Sequence, residues 1–250
     1  MKQIVVSAIG FGLLWLGGVA TAQDAYGQTV EFGGERWRVA GDAAVVESYR
    51  GRETLTFDGR VWADDVDLHD LVVEFDVLSQ PFGFFGVSFR GTDDANFEDV
   101  YLRNGAQGTP DAMQYMPVIN GVSGWQVYTD PRFNAAANFE PETWIHVRVV
   151  VIGDQMDVYV DSAEPAMHVP DLQTDNRRGA IGLRATPSSD ARFANVVIRP
   201  AGPDDVIVGE YTSFVDIPGV PPDKFTTDLP DTLISEFEVS APFSEDVFGD

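Results

Sequence analysis

The chain contains no cysteine, which excludes a disulfide scaffold and any thiolate metal site. It is also poor in basic residues, with 16 Lys+Arg against 40 Asp+Glu and a formal charge of −24. It therefore lacks the cationic surface that releases counterions from nucleic acid, and nucleic acid is excluded as a partner. The only histidines, His69, His146 and His168, show no metal-ligand spacing. No nucleophile elbow, no phosphate-cradling glycine loop and no stretch of helical period occurs. What is present is 44% hydrophobic residues, 12% aromatics, 24 Gly and 15 Pro in 250 residues. That is too apolar for a disordered acidic polymer.

Lys2 precedes an apolar run from Ile4 to Val19, and Ala20-Thr21-Ala22 follows. This order of positive region, apolar region and small-x-small site predicts a secretory signal peptide over residues 1–22, cut after Ala22. The expected product is secreted or periplasmic, with no membrane attachment after cleavage. After a short linker, 23–30, apolar residues recur with period two between Gly, Asp, Asn and Pro as far as Pro200. This pattern predicts antiparallel strands at 43–49, 53–57, 60–63, 70–78, 84–90, 97–103, 124–129, 144–152, 155–161, 179–185 and 192–199. So many short strands within residues 31–200 predict an all-β, two-sheet sandwich or a barrel. Residues 201–250 hold 12 acids, one base (Lys224) and repeated prolines. They are expected to form an extended acidic extension, or the start of an incomplete second module, with Leu233–Val239 as a candidate strand.

The run Trp144-Ile-His-Val-Arg-Val-Val-Val-Ile-Gly153 leads through a Gly-Asp turn into Gln155-Met-Asp-Val-Tyr-Val-Asp161. Gly179-Ala-Ile-Gly-Leu183 and Ala191-Arg-Phe-Ala-Asn-Val-Val-Ile198 follow. This succession resembles the concanavalin A-like lectin/glucanase superfamily, in particular its laminin-G-like and keto-glycoside hydrolase-like bacterial domains. The resemblance covers about residues 31–200. It implies a jelly roll of two curved antiparallel sheets, with a ligand on the concave sheet or its rim loops.

Alternation separates core from solvent positions in each strand. With the strands at 70–78, 84–90, 97–103 and 124–129 taken as neighbours, one face offers Glu74, Asp76, Ser88, Arg90, Asp99, Tyr101, Arg103, Gln126 and Tyr128. Carboxylates, guanidiniums, an amide and phenols suit sugar hydroxyls, and aromatic faces suit pyranose C–H surfaces. The segment from Asn104 to Trp125 reads as a long functional loop carrying Gln114, Tyr115, Asn120 and Trp125. The expected function is binding of a glycan on the concave face by Glu74, Arg90, Tyr101, Arg103, Gln114, Asn120, Trp125, Gln126 and Tyr128. The alternatives are a hydrolase acting on a glycan or oxidised sugar and a laminin-G-type protein-interaction module. Both carbohydrate readings, binder and hydrolase, require Glu74, Arg90, Tyr101 and Gln126 to share one groove and fail if they do not.

As a hydrolase the chain would use Glu74 or Asp76 as base, with Arg103 stabilising developing negative charge. The laminarinase-type pattern Glu-x-Asp-x-x-Glu is incomplete, because Glu74-Phe-Asp-Val-Leu-Ser79 ends in serine. Asp93, Asp94, Asn96 and Glu98 in one short stretch are candidate calcium ligands, although glycine is absent inside the run and an Asx-turn loop reads the same way.

Overall fold

The structure is a computed structural model, and it describes residues 28–210. The signal peptide over 1–22 and the Leu233–Val239 strand lie outside the described residues. Two antiparallel sheets pack face to face as a sandwich. The nine-stranded sheet runs, in spatial order, β1 (Thr29–Phe32), β2 (Glu35–Gly41), β5 (Gly59–Ala63), β15 (Ala180–Ala185), β7 (Gly83–Asp93), β8 (Asn96–Asn104), β9 (Met113–Ile119) and β10 (Val122–Ser123), with β11 (Asn134–Ala135) also paired to β9. The seven-stranded sheet runs β14 (Met167–Val169), β13 (Gln155–Val160), β12 (Ile145–Ile152), β6 (Leu71–Leu78), β16 (Arg192–Pro200), β4 (Arg52–Thr56) and β3 (Val45–Tyr49).

Period-two apolar patterning produces this arrangement because only one face of each sheet meets the core. Val73, Phe75 and Val77 of β6 and Val147, Val149 and Val151 of β12 come from one sheet; Phe85, Val87, Val100, Leu102, Ile181 and Leu183 come from the other. Phe193 stacks on Phe57 with ring centroids 5.4 Å apart and tilts against Phe75 at 5.3 Å. Each such ring contributes roughly 2–3 kcal/mol through removal from water.

Three local departures decide where functional side chains end up. First, the strand expected at 124–129 is a tight turn, in which the Val127 and Tyr128 amides donate to the Gly124 carbonyl at 2.8 and 3.2 Å. A Cβ on Gly124 would lie 2.8 Å from the Tyr128 ring, so a larger residue there would displace that ring. Second, the expected loop 104–125 contains a 3-10 turn, Pro110–Ala112, followed by the β9–β10 hairpin. Third, β7 bulges between Phe89 and Asp93, with Arg90 at φ 50°. The bulge rotates Arg90 out of the alternation.

The expected acidic extension begins as a docked segment. Ile207 packs on Val72, Val150 and Tyr159 of the seven-stranded sheet. The Val208 and Gly209 amides donate to Asp157 Oδ2 at 2.8 and 2.9 Å.

Candidate functional site

The outer face of the nine-stranded sheet, opposite the core, carries a second packed cluster of Trp62, Phe97, Tyr101, Met116 and Val118, with Phe84 against it. Strand register sets these side chains in rows. One row crosses the sheet through Gln114, Tyr101, Gly86, Arg184 and Arg60; the next passes through Met116, Asp99, Ser88, Gly182 and Trp62. Gly86 and Gly182 are required there. A Cβ on Gly86 would stand 2.1 Å from the Val100 carbonyl oxygen, and one on Gly182 would stand 2.8 Å from the Trp62 ring.

Five arginines lie on this face, one of them, Arg36, at its edge against Asp64 and Asp65. Arg60 sits 4.1 Å above the Phe97 ring, Arg184 4.7 Å above Tyr101, and Arg103 5.2 Å above Phe84. Such stacking holds planar guanidiniums flat on aromatic surface. The fifth, Arg38, approaches Asp64 at 3.8 Å and Asp94 at 3.7 Å. Buried Asp99 is the counter-ion to two of them: its Oδ2 lies 2.8 Å from Arg60 and 3.1 Å from Arg184, while Ser88 donates to its Oδ1 at 2.5 Å. Burial lowers the pKa of Arg60, the neighbouring Arg184 adds to this, and Asp99 only partly offsets them.

At the β10 end of this face a groove of about 220 Å³ opens between Phe84, Tyr101, Arg103, Met116, Ser123, Trp125 and Arg184. Trp125 is 46% exposed and stands at the wall. Gln114 positions it: the buried amide donates to the Trp125 and Tyr128 carbonyls at 2.7 and 2.5 Å, and its oxygen accepts from the Tyr101 hydroxyl at 2.5 Å. Burial raises the Tyr101 pKa, so its hydroxyl stays protonated as a donor. The groove thus offers aromatic surface, two guanidiniums and a phenol within one opening. That inventory can orient a polar ring compound but contains no carboxylate to act as an acid or base.

The structure brings Tyr101, Arg103 and Trp125 of the expected site together, with Gln114 beneath them. It separates the others. Glu74 and Asp76 lie on β6, in the seven-stranded sheet, so the core stands between them and Arg103. Asp76 accepts from His146 at 2.9 Å, Asn195 at 2.7 Å and Arg52 at 2.5 Å. Although burial opposes it, these bonds keep its pKa below the usual carboxylate value, which makes it a weak base. The assignment of Glu74 or Asp76 as base with Arg103 beside it is therefore corrected.

Arg90 is fully buried, turned inward by the bulge, and lies 3.9 Å from equally buried Glu98. Asn120 is an exposed turn residue at φ 52° whose amide donates to Asn96 Oδ1 at 2.9 Å. Gln126 is exposed in the turn after Trp125, and Tyr128 packs edge-on to Phe133 at 5.0 Å. Glu74, Arg90, Tyr101 and Gln126 consequently do not share a groove, so the glycan-binding and hydrolase sites expected from these residues both fail, and a ligand reading has to rest on a different groove.

The calcium candidates also diverge. Asp93 accepts from the Ala95 amide at 2.8 Å and from the Asn96 side chain at 2.9 Å, forming an Asx turn, while Glu98 points into the core and accepts from Thr174 at 2.7 Å and Tyr115 at 2.5 Å. Among the described residues no three His, Asp or Glu side chains are grouped to hold a metal ion.

Arg184, Phe84, Met116 and Ser123 were not among the expected site residues. Alternation against Ile181, Leu183 and Ala185 does place Arg184 on the outer face. Nothing in the sequence says that this face adjoins Tyr101.

No protein-family model matches the chain, and no curated protein matches it significantly. Among solved structures it is similar to a carbohydrate-binding module from Bacillus subtilis, with 16% identity and a TM-score of 0.50 over 65% of this chain and 94% of that one. It also aligns with a Bacillus subtilis protein of galectin-like fold (10% identity, TM-score 0.48, 65% of this chain and 88% of that one). A toad ovary galectin in complex with thio-digalactose gives 13% identity and a TM-score of 0.42 over 57% and 100%. At these identities the first likeness establishes the sandwich fold alone, and the other two scores are too low to weigh.

Proposed function

We propose that this protein is an exported glycan-binding β-sandwich, with its ligand in the groove on the outer face of the nine-stranded sheet. The observation that carries this reading is Trp125, a large aromatic left 46% exposed beside Tyr101, Phe84 and two arginines. An indole held open in this way offers a stacking surface to sugar C–H groups, and the guanidiniums and phenol fix hydroxyl orientation. The site differs from the one expected from sequence, since it contains neither Glu74 nor Arg90. The similar bacterial structure described as a carbohydrate-binding module is in keeping with the reading.

A protein-interaction surface is the second reading. It is favoured by Val122 and Val127, 71% and 78% exposed close to Trp125 in sequence.

Binding of the protein to an immobilised oligosaccharide panel tests the first reading. Trp125→Ala should lower affinity for whichever glycan binds by about tenfold or more. Because the ring is half-exposed, the melting curve should change little. Equal binding by wild type and variant would remove the groove from the account, and absence of any glycan binding would favour a protein partner.

A further inference from the structure

We infer, building on the glycan-binding reading, that the ligand carries an oxyanion, a sugar carboxylate or sulfate, gripped between Arg103 and Arg184. Both guanidiniums flank the same ring, at 5.2 and 5.8 Å from the Phe84 centroid, and both line the groove. No acidic side chain lines it.

The charge balance beneath the groove is uneven. Asp99 is shared by Arg60 and Arg184 through one oxygen, and Asp94 adds a second negative charge on the Arg60 side, away from the groove lining. Among the carboxylates of the described residues Arg103 meets only Asp111, at 3.6 Å, and that carboxylate is 67% exposed and screened by water; the other polar partner of Arg103 is the neutral Tyr101 hydroxyl. The Nε of Arg103 is buried without a hydrogen-bond partner. That atom is closed to the groove, so an oxyanion would meet the part of the Arg103 side chain that stays 28% exposed.

The choice of residue agrees with this. No lysine occurs between positions 28 and 210, where every permanently charged cation is arginine, the side chain whose planar fork matches carboxylate and sulfate oxygens. An unbalanced cationic groove runs against a chain of charge −24. That overall charge repels a long polyanion, but screening over about 8 Å at physiological salt leaves contacts inside the groove dominant. The fitting ligand is an oligosaccharide bearing an isolated acidic residue.

The test is a glycan array in which each uronate-containing oligosaccharide is paired with its carboxyl-reduced form and each sulfated one with its desulfated form. Wild-type protein should bind the acidic member of the matching pair about tenfold or more tightly. The pair that responds identifies the oxyanion as carboxylate or sulfate. Arg103→Gln should abolish the preference while weaker binding to the neutral member persists. Arg103→Lys, which keeps the charge and loses the fork, should restore part of it, and Trp125→Ala should weaken both members together. Equal binding of acidic and neutral members would overturn the oxyanion inference and leave the glycan reading standing. No binding to any member by folded protein would overturn both.

Discussion

Arg90 and Glu98 show how one backbone angle changes a residue's role. Regular alternation places Arg90 on the outer face, but at φ 50° it points between the sheets and meets Glu98 with neither side chain exposed. The Arg90 guanidinium donates to the Gly153 carbonyl, and its own carbonyl accepts from Asn176 at 3.3 Å, so one residue ties the bulge to the β12–β13 turn and a neighbouring loop. Burial raises the Glu98 pKa despite hydrogen bonds from Thr174 and Tyr115. Removing one member strands the other without solvent. Arg90→Ala should therefore cost about 3–5 kcal/mol in urea unfolding, and Arg90→Met with Glu98→Leu should cost less than Arg90→Ala alone. A double variant weaker than the single would mean that the pair itself stabilises the fold. No sequence pattern announces the bulge, which explains why Arg90 is expected in the site and found in the core.

At the scale of elements, the alternation that defines each strand was legible, and ten of the expected segments are strands. Alternation states which side chains share a face of one strand. It does not state which sheet the strand joins, and this displaced Glu74 and Asp76 from Tyr101. β9 was hidden because Pro117 sits inside it and cannot donate to the ladder, so Met113–Ile119 read as loop. The rows across β8, β7 and β15 also depend on close strand approach at glycine. Gly86→Ala places a methyl group against the Val100 carbonyl and the Tyr101 Cα, at 2.1 and 2.7 Å. It should destabilise by roughly 1–3 kcal/mol in urea titration and weaken glycan binding by displacing Tyr101. Unchanged stability and affinity would show that Tyr101 does not need this packing.

For the molecule as a whole, charge is divided by place rather than spread evenly. The acidic extension starts by docking on the seven-stranded sheet, where Arg199 grips Asp205 through contacts of 2.6 and 2.9 Å. The Arg199 hydrogen bond and the Gly202 amide pull the Asp205 pKa down to about 2. A depressed carboxylate contributes above its ordinary pKa, near 4, and its contribution is lost as pH falls towards the folded value. Acidification from pH 4 to about 2 should thus release residues 201–210, seen as a shift of the Ile207 methyl resonances towards random-coil values. Asp205→Asn should already show the released signal near neutral pH. Resonances that stay constant through this range would remove Arg199–Asp205 from the docking contacts.

With that segment covering part of the seven-stranded sheet, the groove beside Trp125 on the nine-stranded sheet is the surface proposed for the ligand. The indole N–H resonances report on it directly, because Trp37 is buried in the core, Trp62 is buried under Arg60, and Trp144 lies beneath Arg52 beside Asp76 on the opposite sheet. On titration with an oligosaccharide that binds, the Trp125 indole signal should move while those of Trp37 and Trp144 stay in place. Movement of Trp144 with Trp125 unchanged would put the glycan on the other sheet and contradict the account.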